Sequence, residues 1–265
     1  HLTVDLKSIA DKGLRDVIAR AQKRLAELDL SDPESIEQKP FLESVVITCE
    51  AVIAFAHRYA QLAVEMAKTE KDAQRKKELM KIAEVCRNVP ENPARDFHEA
   101  AQSLWFINLT MQIENNGHSI SFGRYDQTMI DIYKKDVEAG NIEYDDALEI
   151  IECVFLKMFQ LQKITCWDNT KAFSGYQLFQ NFTVGGQDRN GKDSANEVSF
   201  LVLNAQAAIA LNTPSISLRY HNRINERLLY ASFDVVRIGG GQPAMYSDEV
   251  YIPALVNRGI PWEDA

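Results

Sequence analysis

The chain has 265 residues, of which 46% are hydrophobic and 25% are charged, a balance typical of a globular protein and not of a disordered one. Its formal net charge of -9 argues against a broad electrostatic attraction to nucleic acid or to anionic membrane surfaces. The apolar run at residues 44–56 contains Glu50 and is shorter than the roughly 20 residues that a bilayer span requires, so we expect no transmembrane helix.

The first 115 residues predict a nearly continuous series of helices. Pro33 suits the first turn of a helix, and a long helix is predicted to follow Pro40. We expect this long helix to point seven side chains toward a core: Phe41, Val45, Thr48, Val52, Phe55, Tyr59 and Leu62. Asp96 and Glu99 then form a capping-box pattern at the start of the last helix of this half.

From residue 116 the pattern changes to short strands that alternate with helices. Strands are predicted at residues 117–123, 176–186 and 214–221, and residues 243–249 predict a fourth short strand or a loop. Gly140 is expected just after the end of one helix, and Ser194 with Glu197 is expected to cap another. The sequence therefore predicts a helical part, 1–115, and a strand-and-helix part, 116–265.

Four cysteines are scattered without CxxC spacing, which argues against a zinc site or a disulfide framework and suits a reducing cytosol. Cys49, Cys86 and Cys153 lie in helical patterns, where a free cysteine behaves as a small buried hydrophobic residue. Cys166 lies where a helix passes into a loop, and no histidine is near it in sequence, so a structural role is expected there too.

A polar cluster, "NNGHSISFGRYD", occupies residues 115–126. The Asn116-Gly117 turn ends a helix and places His118 and Ser119 at the start of the next element, where side chains can face a cleft. Neighbouring residues of a regular strand point to opposite faces, so this pair can share a pocket only at an irregular strand end. The residues alone also allow His118 to cap the helix or to be a core histidine. Glu114 and His118 have metal-ligand spacing, but the turn would separate them and no second histidine pair is present.

Two common nucleotide and hydrolase motifs are absent from the sequence. The three glycines at residues 239–241 follow a helix and lack the GK[ST] ending of a phosphate-binding loop, so they predict a helix-terminating turn. A GxSxG motif is also missing, which leaves serine-hydrolase chemistry with little support.

Five motifs in order, "NPARDFHEAAQSLWF", "ENNGHSISFGRYDQ", "FSGYQLFQNFTVGG", "TPSISLRYH" and "IGGGQPAMYSDE", resemble the glycyl radical enzymes of the pyruvate formate-lyase type. The likeness covers essentially the whole chain. It is greater to the dehydratase branch, which includes glycerol dehydratase, hydroxyproline dehydratase and choline trimethylamine-lyase. Phe122 departs from the proline that many dehydratases carry at this position, so the branch is less firmly indicated than the family.

The resemblance implies an α/β fold: a ten-stranded barrel wrapped by helices, to which this chain would contribute an incomplete, helix-rich segment of one domain. In this family one loop carries a cysteine that becomes a thiyl radical, and a second loop carries the glycine that stores the radical. A separate activase with S-adenosylmethionine and an iron-sulfur cluster installs that radical, and the enzyme binds no organic cofactor. The thiyl takes a hydrogen atom from the carbon beside the leaving group. A homodimer in an anaerobic cytoplasm is also implied.

The radical residues of the family pattern do not occur in this sequence. In the family the thiyl cysteine stands in a Gly-Cys-Val-like context, after the segment that residues 251–265 resemble, and the glycyl loop follows later. None of the four cysteines here has that context. We therefore expect an internal segment of a longer enzyme that is inactive by itself.

The resemblance also assigns roles within the polar cluster. His118 and Ser119 match a pair that hydrogen-bonds substrate hydroxyl groups in glycerol dehydratase-like members, where pyruvate formate-lyase has small apolar residues. Tyr125, Phe173 and Phe179 match aromatic residues at the substrate, although both phenylalanines could equally belong to the core. Separately, Arg124 and Asp126 are expected to hold the loop by charge-assisted hydrogen bonds. Arg219 is expected to pair with a carboxylate in a structural role, with binding of an anion as the alternative.

The leading hypothesis is a segment of a glycyl radical lyase that dehydrates a small diol or another hydroxylated compound. Within the family, the alternatives are an acyltransferase like pyruvate formate-lyase or another carbon-carbon or carbon-nitrogen lyase. From a different class, the alternative is a non-catalytic helical scaffold, which the long front helices and the missing radical residues favour.

Overall fold

The computed structural model describes residues 3–117, 119–162, 166–173 and 178–265, with Phe173 described by its main chain only. The chain divides into two compact units. One unit is residues 5–110, and the other combines residues 1–4 with residues 111–265. The membership of both in a single domain stays a prediction.

The first unit is built from helices. They are α1 (Leu6–Ala26), α2 (Pro33–Thr69), α3 (Ala73–Asn88) and α4 (Phe97–Glu114), of which the last continues into the second unit. Asp5, Asp32 and Asp72 cap the first three, each with a carboxylate that accepts from a backbone N–H in the first turn. Pro33 opens α2 as predicted, but the helix begins there and continues through Pro40, so the prediction of a start after Pro40 was wrong.

The buried face of α2 agrees with the prediction only in part. Of the predicted side chains, Phe55 packs against a buried cluster that contains Ala56 and Phe106. Phe41 is 66% exposed, Tyr59 46% and Leu62 52%. The residues that are buried form a stripe of mostly small side chains: Cys49, Ile53, Ala56, Ala60, Ala63 and Ala67. α2 packs against both α1 and α3, and small side chains allow neighbouring helices to approach closely.

By length and composition alone, α2 also qualifies as a membrane span. Its most apolar 18-residue window has a mean hydropathy of 1.4 and is 11% buried. The expectation that the chain has no transmembrane helix stays a prediction, because length and composition alone do not test it. A core helix of a soluble protein passes the same test, so the finding does not indicate a membrane location.

The second unit alternates helices with strands. Its elements are α5 (Tyr125–Glu138), α6 (Tyr144–Gln160), α7 (Trp167–Phe173), β1 (Asn181–Gly185), α8 (Glu197–Ile209), β2 (Ser215–Tyr220), α9 (Glu226–Arg237), β3 (Ala244–Ser247) and α10 (Asp248–Val256). The three strands form one parallel sheet in the order β1-β2-β3. α8 connects β1 to β2 and α9 connects β2 to β3, as parallel pairing requires.

The strand predictions held for three of the four segments. β1, β2 and β3 lie inside the predicted segments 176–186, 214–221 and 243–249. The described part of residues 117–123 runs beside β1 without forming a regular strand: the N–H of Phe122 donates to the carbonyl of Asn181 at 3.1 Å, and the N–H of Thr183 donates to the carbonyl of Gly123 at 2.7 Å. It is a short, irregular extension of the sheet.

Of two predicted helix ends, the structure confirms the end of α5 and differs at the start of α8. α5 ends at Glu138, and Gly140 follows with a φ of 67°, as predicted. The N-cap of α8 is Asn196, not Ser194: the Asn196 side chain accepts from the N–H of Ser199, and the Ser199 hydroxyl accepts from the N–H of Asn196. The predicted cap at Ser194 was therefore wrong by two residues.

Candidate functional site

An ion pair lies at the carboxyl ends of the strands. Arg219, in β2, donates from Nε to Oδ1 of Asp248 at 2.7 Å. Asp248 is only 3% exposed, and its Oδ2 accepts from the N–H of Gln187 at 3.2 Å. The prediction that Arg219 pairs with a carboxylate is confirmed. The pair joins β2, α10 and the turn after β1.

That turn depends on a glycine. Gly186 has a φ of 82°, in the left-handed region that side chains with a Cβ disfavour. A Cβ at this position would lie 2.8 Å from Nε and 2.9 Å from Cβ of Arg219. Gly186 therefore allows both the turn and the close passage of the Arg219 side chain.

Arg124 and Asp126 hold the same turn from the other side. The guanidinium of Arg124 donates to the carbonyls of Gln187 at 3.1 Å and Gly185 at 2.9 Å. Asp126 accepts on Oδ2 from the N–H of Gly185 at 2.8 Å and from the hydroxyl of Ser199 at 2.6 Å. The predicted charge-assisted bonds of these two residues are confirmed, and they attach the start of α5 to the end of β1.

Burial shifts the pKa values of both residues. It lowers the pKa of the Arg124 guanidinium, and the nearby charge of Arg219 lowers it further. Burial raises the pKa of the Asp126 carboxyl, against the hydrogen bonds from Ser199 and Gly185, which lower it. Asp126 is thus a buried carboxylate kept in place by donors on two other elements.

The sheet has one apolar face and one polar face. Four side chains of β1 and β2 are at most 1% exposed: Phe182, Val184, Ile216 and Leu218. Alternate residues point the other way. Asn181, Thr183 and Ser217 are on that side, and all three are partly buried.

A cavity of about 380 Å³ lies over the polar face. The strands contribute Asn181, Thr183, Ser217, Arg219 and Tyr246 to its lining. On the opposite side, α10 contributes Asp248 together with Tyr251, Ile252 and Leu255, and Ala265, the last residue of the sequence, lines it as well. This is the concave feature of the second unit in which polar groups on adjacent strands converge, so it is the candidate site.

These strand residues were not among the predicted site residues, although the sequence contains a signal for them. In "NFTVG" and "SISLRY" every second residue is polar, which indicates that one sheet face is polar. A face of this kind is unusual in a parallel sheet, where both faces are commonly apolar.

Of the predicted substrate pair, the structure describes Ser119, which precedes the segment that runs beside β1. His118 is outside the described residues. Ser119 is 3% exposed and has a φ of 58°, and its N–H donates to the carbonyl of Leu178 at 3.2 Å. The main chain is thus irregular at this point, which is the condition under which the two side chains could share a pocket. Their contact with substrate stays a prediction.

Of the predicted aromatic residues, Tyr125 is fully buried. Its ring centroid is 4.6 Å from that of Phe182 and 6.0 Å from that of Phe122, on the apolar side of the sheet. Its hydroxyl has no hydrogen-bond partner among the described residues, and burial raises its pKa, so it stays protonated. Tyr125 is not among the residues that line the cavity over the polar face.

The two phenylalanines flank the segment before β1. Phe179 is 49% exposed with a φ of 53°. The main chain of Phe173 ends α7, and its side chain is outside the described residues. Their substrate contacts stay predictions.

The cysteines agree with expectation in two of three helical cases. Cys49 and Cys86 are buried, and burial raises the pKa of the Cys86 thiol to about 11. Cys153 is exposed, so its predicted burial was wrong, and Cys166 is exposed as well. Within the described part of the chain, no three histidine, cysteine or acidic side chains are placed to hold a metal ion.

Comparison with known proteins connects this geometry to an enzyme family. The model of the family described as pyruvate formate lyase-like matches residues 1–265. The isethionate sulfite-lyase of Oleidesulfovibrio alaskensis is 38% identical over 264 residues, which are 98% of this chain and 32% of that protein.

Solved structures show the same fold over the whole chain. A structure that addresses 1,2-propanediol dehydration in Roseburia inulinivorans has a TM-score of 0.96 and 43% identity, covering 99% of this chain and 33% of its own. The glycerol-bound B12-independent glycerol dehydratase of Clostridium butyricum has a TM-score of 0.95 and 41% identity, covering 100% of this chain and 33% of its own. The chain thus spans about a third of the length of the proteins that it matches.

Proposed function

This chain belongs to the pyruvate formate lyase-like family, and on that premise we propose that its protein is a glycyl radical lyase that dehydrates a small diol or another hydroxylated compound. The relatives include glycyl radical dehydratases and lyases. The observation that carries the proposal is the likeness to two diol dehydratase structures, at 43% and 41% identity, across 99% and 100% of the chain.

The geometry of the second unit supports the proposal. The sheet β1-β2-β3 with helices on its apolar face has the arrangement expected for part of a barrel wall. Its polar face and the cavity over it would then face the barrel interior. The ten-stranded barrel itself is part of the proposal.

The radical supplies the hydrogen-atom abstraction, and this chain would supply binding and orientation. His118 and Ser119 are proposed to hold substrate hydroxyl groups, because a hydroxyl removed from water needs a donor or acceptor partner. Phe179 and Phe173 are proposed to pack against the carbon skeleton. Tyr125 is assigned the same role by the resemblance, although its burial places it behind Phe122 and Phe182.

The whole protein is proposed to act with the partners that its family uses. These are a radical-activating enzyme with S-adenosylmethionine and an iron-sulfur cluster, and a second copy in a homodimer. An anaerobic cytoplasm would suit a protein radical.

A carbon-sulfur lyase is the second candidate function. The 38% identity to an isethionate sulfite-lyase favours it. Both candidates share the radical and differ in the leaving group, so the substrate decides between them.

The test is turnover by the full-length protein after anaerobic activation. The panel contains 1,2-propanediol, glycerol, isethionate, hydroxyproline, choline and pyruvate. We expect turnover of a diol. Turnover of isethionate alone would replace the proposal with the second candidate, and a full-length protein that acquires no radical and turns over no member of the panel would support a non-catalytic scaffold.

His118→Ala in the same protein tests the predicted substrate pair. We expect a loss of diol turnover of at least about 10²-fold, because a buried substrate hydroxyl would lose its partner. The radical yield, measured by electron paramagnetic resonance, should be unchanged. Unaltered kinetics would return His118 to a cap or core role.

A further inference from the structure

The loop that follows α4 contains several residues with left-handed main chain. Asn116 has a φ of 48°, Gly117 of 64° and Ser119 of 58°. Glycine adopts such values freely, but a residue with a Cβ does so at a cost and keeps them only where its surroundings hold it. The contacts that hold the main chain at Ser119 therefore decide where its side chain points.

Leu178 holds the loop from one side. Its carbonyl accepts from the N–H of Ser119 at 3.2 Å. Its side chain packs against Gly117, where an added Cβ would lie 2.9 Å from Cδ2 of Leu178. Leu178 thus fixes the main chain up to Ser119, and the residue that follows Ser119 needs another partner.

Gln112, near the end of α4, supplies that partner. Its main-chain carbonyl accepts from the N–H of Gly117 at 2.8 Å, and its side-chain Nε2 donates to the carbonyl of Ile120 at 3.4 Å. Ile120 directly follows Ser119, so the two bonds span the loop. Gln112 is 4% exposed and Ile120 is 2% exposed. Both bonds are therefore shielded from water, which strengthens them.

The other end of the Gln112 carboxamide indicates why a glutamine is present. Its Oε1 is buried and has no hydrogen-bond partner among the described residues. An apolar side chain of similar length, such as methionine, would fill the same space without leaving a buried acceptor unpaired. Packing alone thus favours an apolar residue here, and the bond to Ile120 is what the glutamine adds.

We propose that Gln112 is a positioning residue: its carboxamide holds the carbonyl of Ile120, keeps Ser119 in the left-handed conformation, and so sets how the Ser119 hydroxyl meets the substrate. Without this bond Ser119 can relax to a negative φ, which changes the direction of its Cβ. The inference rests on the proposed function, because substrate contact by Ser119 is part of it. It adds a residue that acts through the main chain.

The test compares Gln112→Met with Gln206→Met in the full-length protein. Gln206 is the matched control: it is 3% exposed, its Nε2 donates to the carbonyl of Leu211 at 2.7 Å, and its Oε1 also lacks a partner among the described residues. Its bond holds the segment between α8 and β2 and not the loop at Ser119.

Two quantities are measured for each variant. The first is KM and kcat after anaerobic activation, with the panel compound that the parent turns over. The second is amide hydrogen exchange in peptides that cover residues 115–121, by mass spectrometry and without activation. We expect Gln112→Met to raise KM about 3- to 10-fold, as the loss of one well-placed hydrogen bond to substrate predicts, and to speed exchange in the loop.

Gln206→Met should leave KM and loop exchange like those of the parent, even where it lowers the melting temperature as much as Gln112→Met does. A parent-like KM in Gln112→Met, equal changes of KM in the two variants, or unchanged loop exchange would overturn the inference.

Gln112→Glu keeps the shape of the side chain and makes the bond depend on pH. A protonated carboxyl can donate to the Ile120 carbonyl, whereas a carboxylate cannot, and burial raises the pKa of a carboxyl. We expect the ratio of its KM to that of the parent to increase with pH. A ratio that stays at one over the pH range of the enzyme would overturn the inference, also where the methionine variant does not fold.

The two proposals fail separately. Faster loop exchange in Gln112→Met, in a protein that turns over no panel compound, would sink the proposed function and leave the hold on Ser119 standing. Turnover by the parent with a KM that is indifferent to Gln112 would do the reverse.

Discussion

Asp126 shows how one buried side chain can connect three elements. It lies in the first turn of α5, binds the N–H of Gly185 at the end of β1, and accepts from Ser199 in α8. The carboxylate is fully buried, so its charge is unfavourable there, and the two donors offset part of that cost. The stability of this junction should therefore depend on pH.

Asp126→Asn tests that dependence. Burial raises the folded-state pKa of Asp126 above its ordinary value of 3.8, so its contribution to stability is fully present below that value and is lost as pH rises through the folded-state pKa. Asparagine cannot ionise. We expect the free energy of unfolding of the variant, minus that of the parent, to increase with pH over this window, by about 1.4 kcal/mol for each unit of raised pKa.

Urea unfolding of the full-length protein at several pH values measures this difference. Ser199→Ala is the companion variant: it keeps the carboxylate but removes a hydrogen bond that lowers the Asp126 pKa. Its own pH dependence should be steeper than that of the parent. A difference for Asp126→Asn that decreases with pH would contradict the assignment.

The cap of α8 shows the limit of local patterns at the scale of single residues. Ser194 with Glu197 and Asn196 with Ser199 both have capping-box spacing, so the sequence offered two starts for the helix. The structure uses the second, and the hydroxyl of Ser194 is left buried without a partner among the described residues. Asn196 also donates to the carbonyl of Asp126 at 3.4 Å, a long-range contact that no local pattern contains.

At the scale of elements, α2 shows why helical periodicity did not identify the buried face. The helix carries large apolar residues such as Phe41 and Leu62 on one side and a stripe of small residues on another. Periodicity detects both and does not rank them. α1 and α3 pack against α2, whose buried side chains are mostly small, and short side chains let helix backbones approach. Phe41 and Leu62 stay exposed, whereas Phe55 packs against the buried cluster that contains Phe106.

The turn after β1 gives the prediction at this scale. Gly186→Ala would place a Cβ against Arg219 in a left-handed conformation, and we expect a loss of about 1–3 kcal/mol in the free energy of unfolding. Gly240→Ala is the control, since no atom lies within 4 Å of its added Cβ. Denaturant unfolding of the full-length protein compares the two. Equal stability of the variants would show that the turn tolerates a side chain.

At the scale of the whole molecule, the second unit contains a sheet that helices cover on its apolar face, while its polar face borders an open cavity. Among the described residues, no strand pairs with the outer edge of β3. This is the form expected of a wall that encloses a site together with other segments.

Activation of the 265-residue chain by itself tests this interpretation. We expect neither a glycyl radical signal in electron paramagnetic resonance nor turnover, because the radical residues of the family pattern do not occur in this sequence. The full-length protein, treated in parallel, should show both. A radical or turnover in the 265-residue chain alone would contradict the division of roles proposed for the protein.

The sequence by itself determined the family, the alternation of helices and strands after residue 116, the charge-assisted hydrogen bonds of Arg124 and Asp126, and the pairing of Arg219 with a carboxylate. These depend on short motifs and on local backbone preferences, which a linear pattern contains. Tertiary structure alone decided which face of α2 is buried, which cap starts α8, and that Thr183 and Ser217 lie side by side over a cavity. Each of these depends on strand register or helix packing between distant residues, and such pairings have no signature at a fixed spacing along the chain.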